Sequence, residues 1–522
     1  MTRHSTRTIR AFGTAMLTAI LALTSSQPVE AGPRRARLSR DLSERLAAGD
    51  ASTTRVIVCG SNSKIDTLTT RYGAQLKKRL RGCAVLEVTG GQLDALSQDA
   101  DVDQLSGDAP VMRMSVTTET IGANQVWAGQ VWAGSEGVAG FTGRGIGVAV
   151  IDTGIATHRD SGSIVVSHDF VESLGRKGDD GNGHGTHVSG TINAGAKGGY
   201  PGVAPGAHII NLRALNSDGI GFTSDVMEAI YWAIDNRARY NIRVLNLSLG
   251  RAVYESYQTD PLCIAVQKAT DAGILVVAAA GNAGKDAQGR PIVSAIHSPA
   301  NSPAALTVGA VNTLQTAVRS DDIMTTYSSR GPTMIDGVLK PELVAPGNRI
   351  VSTVNGGAVL AQQHPERVVS GHGANAYMEL SGTSMSAAVV SGAAALLLEA
   401  NPALQPSDVK MLLQLTSTRV EGAGLIEAGA GSLNVLGAIR ALSGQGLEET
   451  VIAGERSKPQ AIAFSNSGTT NSSQLQIDNL QLPASQTIVW ANTIIWADTI
   501  IWADTIIWAD TIIWADTIVW AE

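Results

Sequence analysis

Long apolar runs rich in β-branched residues recur between residues 122 and 442, and they restrict the folds that this 522-residue chain can adopt. Apolarity is continuous within each run and does not alternate, which indicates strands that are covered on both faces. Helical patterns separate the runs, so we predict an α/β fold with a parallel sheet flanked by helices. The clearest runs lie at 146–151, 208–212, 244–248 and 274–278.

The first 31 residues have the three parts of a secretory signal peptide: arginines, an apolar stretch over 11–24, and small residues up to Ala31. The stretch is shorter than the ~20 residues of a membrane span, which favours a cleaved signal over a short membrane anchor. We therefore expect bacterial-type export and a secreted location, either extracellular or at the cell surface. The formal net charge of −7 gives the chain no electrostatic basis for binding nucleic acid.

A smaller unit lies between the signal and the long runs, at residues 53–106. Its alternating patterns predict an α+β unit, and residues 32–52 before it are predicted to be a flexible lead-in. Cys59 and Cys83 border two of its strands, and the sequence is consistent with a disulfide or with two buried thiols. The predicted strands lie at 55–59, 75–81, 83–88 and 102–105, and the predicted helices near 63–72 and 91–98.

The composition changes again toward the C-terminus. Residues 443–486 are rich in Ser, Gln and Asn and are predicted to be a linker, and 487–522 are six hexapeptides of the type Thr-Ile-Ile-Trp-Ala-Asp. A period of six keeps each residue type on one face of a strand but scatters the tryptophans around a helix, so we predict strands. Such a tail can coil as a small solenoid, pair as hairpins, or associate with another chain or a cell surface. A purely structural role at a sheet edge is an equal alternative.

Asp152 ends the first long run and is followed by Thr153 and Gly154. Functional groups in parallel sheets gather beyond the carboxyl ends of the strands, so this position suits a catalytic carboxylate. Aspartic proteases also carry Asp-Thr-Gly, but they need two such carboxylates. The chain has a single Asp-Thr-Gly, so that interpretation requires a dimer of unusually large protomers and is disfavoured.

His184 lies in a glycine-rich segment, 180–188, that is predicted to start a helix. A metal site shared with His187 is the alternative to a catalytic base. The two histidines are three residues apart, without the glutamate of the zinc-protease helix motif. We therefore predict a catalytic base at His184 and a core or supporting role for His187.

Ser384 precedes an Ala-rich helical pattern over 387–398. A lone serine at a helix start is ordinarily an N-cap. Here it completes the chain order Asp152, His184, Ser384, and a hydroxyl becomes a nucleophile when a base takes its proton and a third group orients that base. An α/β-hydrolase is disfavoured, because those enzymes follow the order Ser, Asp or Glu, His.

Asn282 follows a glycine at the end of another buried run. Its side-chain amide can donate a hydrogen bond to the oxyanion that forms when a serine attacks a carbonyl group. An asparagine that merely forms a turn is the alternative.

These segments resemble the four signature segments of the subtilisin-like serine proteases, whose triad follows the same chain order. The similarity covers about residues 122–442. Supporting matches lie at 202–207, 327–332 and 340–347. The four segments are Val-Ile-Asp-Thr-Gly at 150–154, Gly-His-Gly-Thr-His at 183–187, Ala-Ala-Gly-Asn at 279–282 and Gly-Thr-Ser-Met at 382–385.

The resemblance implies a three-layer α/β/α sandwich around the parallel sheet. It implies that Asp152, His184 and Ser384 are the catalytic triad and that Asn282 is an oxyanion donor. The residues implied to hold the substrate backbone and to wall part of the S1 pocket are Ser248, Leu249, Gly250, Ala279, Ala280 and Gly281.

Residues 53–106 resemble the propeptide of the same family, a small ferredoxin-like unit that acts as intramolecular chaperone and inhibitor. The similarity implies a zymogen with a propeptide at 32–117 and a peptidase domain at 118–442. Self-cleavage is expected between Asp108 and Thr118.

One departure from the family pattern follows the serine. The family usually continues with Pro and His, where this chain has Ala388 and Val389. Because the serine is retained, we expect an active endopeptidase that cleaves proteins or peptides and requires no cofactor. Calcium sites are common in the family, but none is matched to residues of this chain. The alternative is a catalytically weak protease-fold protein that acts in surface binding or assembly through its tail.

Overall fold

A computed structural model of the chain describes residues 35–108, 116–129, 140–171 and 179–465, and four short strands between 488 and 514. The chain divides into two compact units, Met1–Met112 and Arg113–Glu522. The predicted signal peptide lies outside the described residues, as does most of the interval predicted to contain the processing site.

The first unit is an α+β fold. Its elements, in chain order, are β1 Arg37–Leu38, α1 Arg40–Ala47, β2 Thr54–Cys59, α2 Asn62–Tyr72, β3 Gln75–Leu80, β4 Cys83–Val88, α3 Gly90–Ser97 and β5 Gln104–Gly107. The described strands form one sheet of order β1-β5-β2-β4-β3, and from β2 onward the chain follows the ferredoxin-like βαββαβ motif. Cys59 and Cys83 face each other across the β2–β4 pair and form a disulfide.

Residues 35–50 are not the flexible lead-in that the sequence predicted. β1 pairs with β5, and α1 packs through Leu42, which is 1% exposed. Leu42 shares an apolar cluster with Ile65 and Leu93. The charged residues of this stretch indicated solvent exposure, but a narrow apolar stripe on one helix is enough to anchor it.

A parallel sheet forms the centre of the second unit, as predicted. Among the described residues its strands are β6 Gly147–Asp152, β7 Ser163–Asp169, β8 His208–Arg213, β9 Ile242–Leu247, β10 Leu275–Ala279, β11 Leu306–Asn312, β12 Ile323–Met324 and β13 Leu343–Pro346. The order is β12-β11-β10-β9-β6-β8-β7, with β13 also paired to β11; β12 alone runs antiparallel. The four apolar runs identified in the sequence coincide with β6, β8, β9 and β10.

Helices cover both faces of this sheet, which makes the second unit a three-layer α/β/α sandwich. Val148 and Val150 of β6 pack in one apolar cluster with α6 and α10, whereas Ala149 and Ile151 pack in another with α7 and α8. The helices are α4 Thr117–Thr120, α5 Ala123–Trp127, α6 His184–Asn193, α7 Thr223–Asp235, α8 Pro261–Asp271, α9 Val359–Gln363, α10 Thr383–Ala400, α11 Pro406–Thr416, α12 Leu425–Ala428 and α13 Val435–Arg440.

A small antiparallel sheet lies beside α6. Its strands are β14 Ile350–Val354, β15 Val368–Ser370 and β16 Ala376–Leu380, in the order β14-β16-β15. Helix α10, which follows it, is long and apolar enough to cross a membrane, but 83% of that stretch is buried inside the unit. α10 is therefore a core helix.

The folded domain extends beyond the predicted boundary at residue 442. β17 Thr450–Ile452 and β18 Glu455–Ser457 form a hairpin, and β19 Ala463–Ser465 follows. Ile452 is fully buried in the main apolar cluster, and the backbone amide of Phe464 donates to Oε1 of Gln414 at 3.1 Å. The prediction of a linker over 443–486 is therefore wrong up to residue 465. The polar composition of the segment concealed two isolated apolar anchors.

The described parts of the repeat tail are strands that pair in parallel. They are β20 Ile488–Ala491, β21 Ile495–Trp496, β22 Trp508–Ala509 and β23 Ile513–Trp514. Trp490 pairs with Trp508 and Trp496 with Trp514, so each partner lies three hexapeptides further along the chain. Hairpins would give antiparallel pairs, so this parallel pairing agrees with a small solenoid and not with hairpins.

Candidate active site

Asp152 and His184 are in direct contact at the carboxyl edge of the central sheet. Asp152 is the last residue of β6 and its side chain is 1% exposed; His184 is the first residue of α6. Nδ1 of His184 donates a hydrogen bond to Oδ1 of Asp152 at 2.8 Å. The backbone amide of Thr153 donates to the same oxygen at 2.7 Å. The backbone amide at the end of β6 thus orients the Asp152 carboxylate, and the carboxylate orients the imidazole of His184.

The charge on Asp152 alters the acidity of His184. Burial disfavours the charged imidazole, but the charge of Asp152, the hydrogen bond between them and the charge of Asp180 outweigh burial. The pKa of His184 is therefore raised above its ordinary value of 6.5. An imidazole with this partner accepts a proton more readily, which suits a general base.

Asp180, which the sequence patterns did not identify as a functional residue, organises the loop that leads into α6. Its side chain is buried, and Oδ1 accepts hydrogen bonds from the hydroxyl of Thr153 and the amides of Asn182 and Gly183 at 2.8 to 3.0 Å. Oδ2 accepts two more, from the amide and the hydroxyl of Thr186. One carboxylate therefore connects the end of β6 to the start of α6. The signal in the sequence was an aspartate followed within six residues by three glycines and a threonine.

Ser384 is in the first turn of α10, where its side chain contacts the segment after β9. Its hydroxyl donates to the carbonyl oxygen of Ser248 at 3.1 Å, and the hydroxyl of Ser248 donates to the carbonyl oxygen of Ser384 at 2.8 Å. Among the described residues, the Ser384 hydroxyl has this partner and no hydrogen bond to His184. β6 and β9 are parallel neighbours, and α6 packs beside α10, so His184 and Ser384 lie at the same edge of the sheet.

Asn282 is held by the residue before Ser384. Oδ1 of Asn282 accepts hydrogen bonds from the backbone amide and the hydroxyl of Thr383, at 3.0 and 3.1 Å. The hydroxyl of Thr383 also accepts from the amide of Gly281 at 3.2 Å. Because the carbonyl end of the Asn282 side chain is occupied, its NH₂ group is the end left to donate to a ligand.

The segments predicted to bind substrate leave the same edge of the sheet. Ser248 follows β9 and Ala280 follows β10, and these two strands are parallel neighbours. Gly281 has φ +109°, and a Cβ built there would lie 2.9 Å from the His297 ring and from the Ser329 hydroxyl. Glycine is required at this position by both its conformation and its surroundings.

His187 is a core residue rather than part of the site. Its Nε2 contacts the carbonyl oxygens of Ile350 and Met378 at 3.0 Å each, and it is fully buried. Burial lowers its pKa to about 4, so it is neutral and ties α6 to the small sheet. In the part of the chain that the structure describes, no group of three or more His, Cys, Asp or Glu side chains is placed to hold a metal ion.

Ala388 and Val389, where the family usually has Pro and His, are both fully buried in the main apolar cluster. Small apolar side chains at these positions fill the interior between α10 and its neighbours. The departure therefore concerns packing behind the site.

Comparison with known proteins decides the family. Residues 143–438, more than half of the chain, match the family model described as Peptidase_S8, the subtilase family. The chain belongs to the subtilase family. Subtilases are serine-type endopeptidases, and the strand order and layers described above agree with this assignment.

Several subtilases are similar over much of their length. Serine protease AprX of Bacillus subtilis (strain 168) is 39% identical over 303 residues, which span 56% of this chain and 66% of AprX. The thermostable alkaline protease of Halalkalibacterium halodurans is 33% identical over 350 residues, 66% of this chain and 81% of that protein. Among solved structures, Sphericase matches with a TM-score of 0.48 and 26% identity, covering 63% of this chain and 100% of its own.

Proposed function

We propose that this subtilase is a secreted serine endopeptidase in which Asp152, His184 and Ser384 form the catalytic triad. The observation that carries the proposal is the 2.8 Å hydrogen bond between Asp152 and His184, at the sheet edge where Ser384 lies in the first turn of α10. A base oriented by a buried carboxylate beside a serine at a helix start suits acyl transfer. The substrates are proteins or peptides, as the family implies.

The first step requires the Ser384 hydroxyl to turn from the carbonyl of Ser248 toward Nε2 of His184. His184 then removes the hydroxyl proton as Oγ attacks the peptide carbonyl, and Asp152 stabilises the imidazolium that forms. The NH₂ group of Asn282 and the backbone amide of Ser384 donate to the oxyanion. His184 passes its proton to the leaving amine, and water, activated by the same imidazole, releases the acyl-enzyme. No cofactor takes part in these steps.

Substrate is held in extended form along Ser248, Leu249 and Gly250. The segment Ala279–Gly281 walls part of the S1 pocket. Both segments extend from neighbouring parallel strands, which supports the assignment.

The chain is made as a secreted zymogen, with signal peptide 1–31 and propeptide 32–117. The ferredoxin-like order of the first unit supports a propeptide that acts as chaperone and inhibitor. Self-cleavage between Asp108 and Thr118 releases it. N-terminal sequencing of purified active enzyme should begin within that interval, and an intact chain from residue 32 would contradict processing.

Ser384→Ala tests the nucleophile. The variant should lose fluorophosphonate labelling, casein hydrolysis and propeptide removal together, because all three need an activated serine. Ser386→Ala is a matched control, since Ser386 lies one half-turn further along α10 and donates to the carbonyl of Ala345. Casein hydrolysis that persists in Ser384→Ala would place the nucleophile elsewhere.

A second function, surface binding or assembly through the tail, is favoured by the parallel pairing of β20 with β22 and of β21 with β23. A chain ending at residue 486 should then retain casein hydrolysis and lose self-association in sedimentation or binding to cells. Equal behaviour of the two forms in both assays would assign the tail a purely structural role.

A further inference from the structure

The segment at His297 and Ser298 closes the space between the two proposed substrate-binding segments. The backbone amide of His297 donates to the carbonyl of Ala280 at 3.1 Å. The next residue, Ser298, pairs with Arg251 through two backbone hydrogen bonds of 2.9 Å. One stretch of backbone therefore bridges the chain after β9 and the chain after β10.

The imidazole of His297 lies between Gly250 and Gly281, one glycine from each of these two substrate-binding segments. A Cβ at Gly281 would lie 2.9 Å from Cγ and 3.0 Å from Nδ1 of His297. A Cβ at Gly250 would lie 3.1 Å from the Cβ of His297 and 3.6 Å from Nδ1. Contacts below 3.4 Å force neighbours apart, so glycine at both positions leaves room for this ring.

The ring is half-buried, and neither of its nitrogens has a hydrogen bond to any described residue. Burial lowers the pKa of His297, so at the pH where His184 is able to act as a base, His297 is neutral. A neutral imidazole has one donor and one acceptor. A group of this kind, without a protein partner and between two pocket walls, is available to a substrate side chain.

We propose that His297 determines P1 specificity: it shortens the S1 pocket and hydrogen-bonds a P1 side chain that ends in an amide, with glutamine favoured over phenylalanine. This inference rests on the proposed endopeptidase function. Glutamine offers one donor and one acceptor to match the ring, whereas a phenyl group leaves both ring nitrogens unpaired and meets the imidazole at the base of the pocket.

The test compares succinyl-Ala-Ala-Pro-Xaa p-nitroanilides with Gln, Phe or Ala at P1, with active enzyme counted by fluorophosphonate titration. In His297→Ala the Gln/Phe ratio of kcat/KM should fall at least tenfold, with the Ala substrate changed less than threefold. His297→Asn, which keeps a donor and an acceptor, should restore part of the ratio. His168→Ala is the control: His168 stacks on Trp232 from β7, at the far edge of the sheet, and should leave the ratio unchanged.

An unchanged Gln/Phe ratio in an active His297→Ala enzyme would overturn the inference. An equal loss on all three substrates would also overturn it, because that is the result of a structural role alone. If the wild-type enzyme hydrolyses none of the substrates and takes no fluorophosphonate label, the proposed endopeptidase function fails, and the assignment of His297 fails with it.

Discussion

The backbone amide of Thr383 donates a hydrogen bond to Oδ1 of Asn282 at 3.0 Å, and the Thr383 hydroxyl donates to the same oxygen at 3.1 Å. The residue that precedes the proposed nucleophile therefore orients the proposed oxyanion donor. Thr383 is 1% exposed, whereas Asn282 is an exposed residue, so a buried neighbour anchors an exposed side chain. The proposed nucleophile and the proposed oxyanion donor are therefore held in place together.

Thr383→Val should slow the chemical step without weakening substrate binding. Valine has nearly the same shape but loses the hydroxyl bonds to Asn282 and Gly281, a change of about 1 kcal/mol, or roughly fivefold in kcat. KM should stay unchanged. Thr383→Ser keeps the hydroxyl and serves as control. For scale, Asn282→Ala, which removes the donor itself, should lower kcat about 10²- to 10³-fold. A rise in KM alone would contradict an orienting role.

The pH dependence of kcat/KM should reflect the raised pKa of His184. The base acts only when neutral, so activity falls as pH falls through this pKa, and a raised pKa places the half-maximal point above pH 6.5. Asp152→Asn removes the charge that raises it and should lower kcat about 10⁴-fold. NMR titration of His184 in the Ser384→Ala background measures the pKa directly. A titration midpoint below 6.5 would contradict the prediction.

The same shift affects stability. A raised folded-state pKa means that the folded protein binds this proton more tightly than the unfolded chain. The resulting stabilisation is complete below pH 6.5 and is lost as pH rises through the folded pKa of His184. Urea unfolding of Ser384→Ala, compared with the double variant Ser384→Ala/His184→Gln, isolates this contribution; the difference between the two should shrink with rising pH.

Asp180→Asn should disrupt the loop before α6. The carboxylate accepts from five donors, and an amide in its place leaves at least one buried donor without an acceptor. We expect a loss of at least about 2 kcal/mol in the free energy of unfolding, together with lower kcat. Asp218→Asn, on an exposed loop, is the matched control. Equal stability of the two variants would show that the loop does not depend on Asp180.

A buried ion cluster joins the residues just before β13 to α11. Glu342 is fully buried and its Oε1 lies 2.6 Å from Nζ of both Lys340 and Lys410, while Oε2 accepts from the amide of Thr307. Glu342→Gln leaves buried positive charge without a partner and should destabilise the protein by about 3–5 kcal/mol. Guanidinium unfolding of both variants measures the difference. The control Glu366→Gln, at a side chain that is 65% exposed, should change the free energy of unfolding by less than about 0.5 kcal/mol.

Local sequence patterns predicted most of the fold. The apolar runs around Val150, Leu245 and Val277 predicted three parallel strands, because strands covered on both faces are apolar throughout. The structure shows that these three strands are neighbours in the sheet. The patterns could not predict that Ile452 and Phe464 bring a polar segment into the domain. Single apolar anchors separated by polar residues have no period that a pattern can detect.

The sequence by itself determined which residue types are available for catalysis, their order along the chain and the family to which they belong. Tertiary structure decided their partners: Asp180 beneath the loop of His184, Thr383 against Asn282, and His297 between Gly250 and Gly281. The physical reason is range. Periodicity and turn chemistry act over a few neighbouring residues, whereas contacts between side chains a hundred positions apart are set by how helices pack on a sheet.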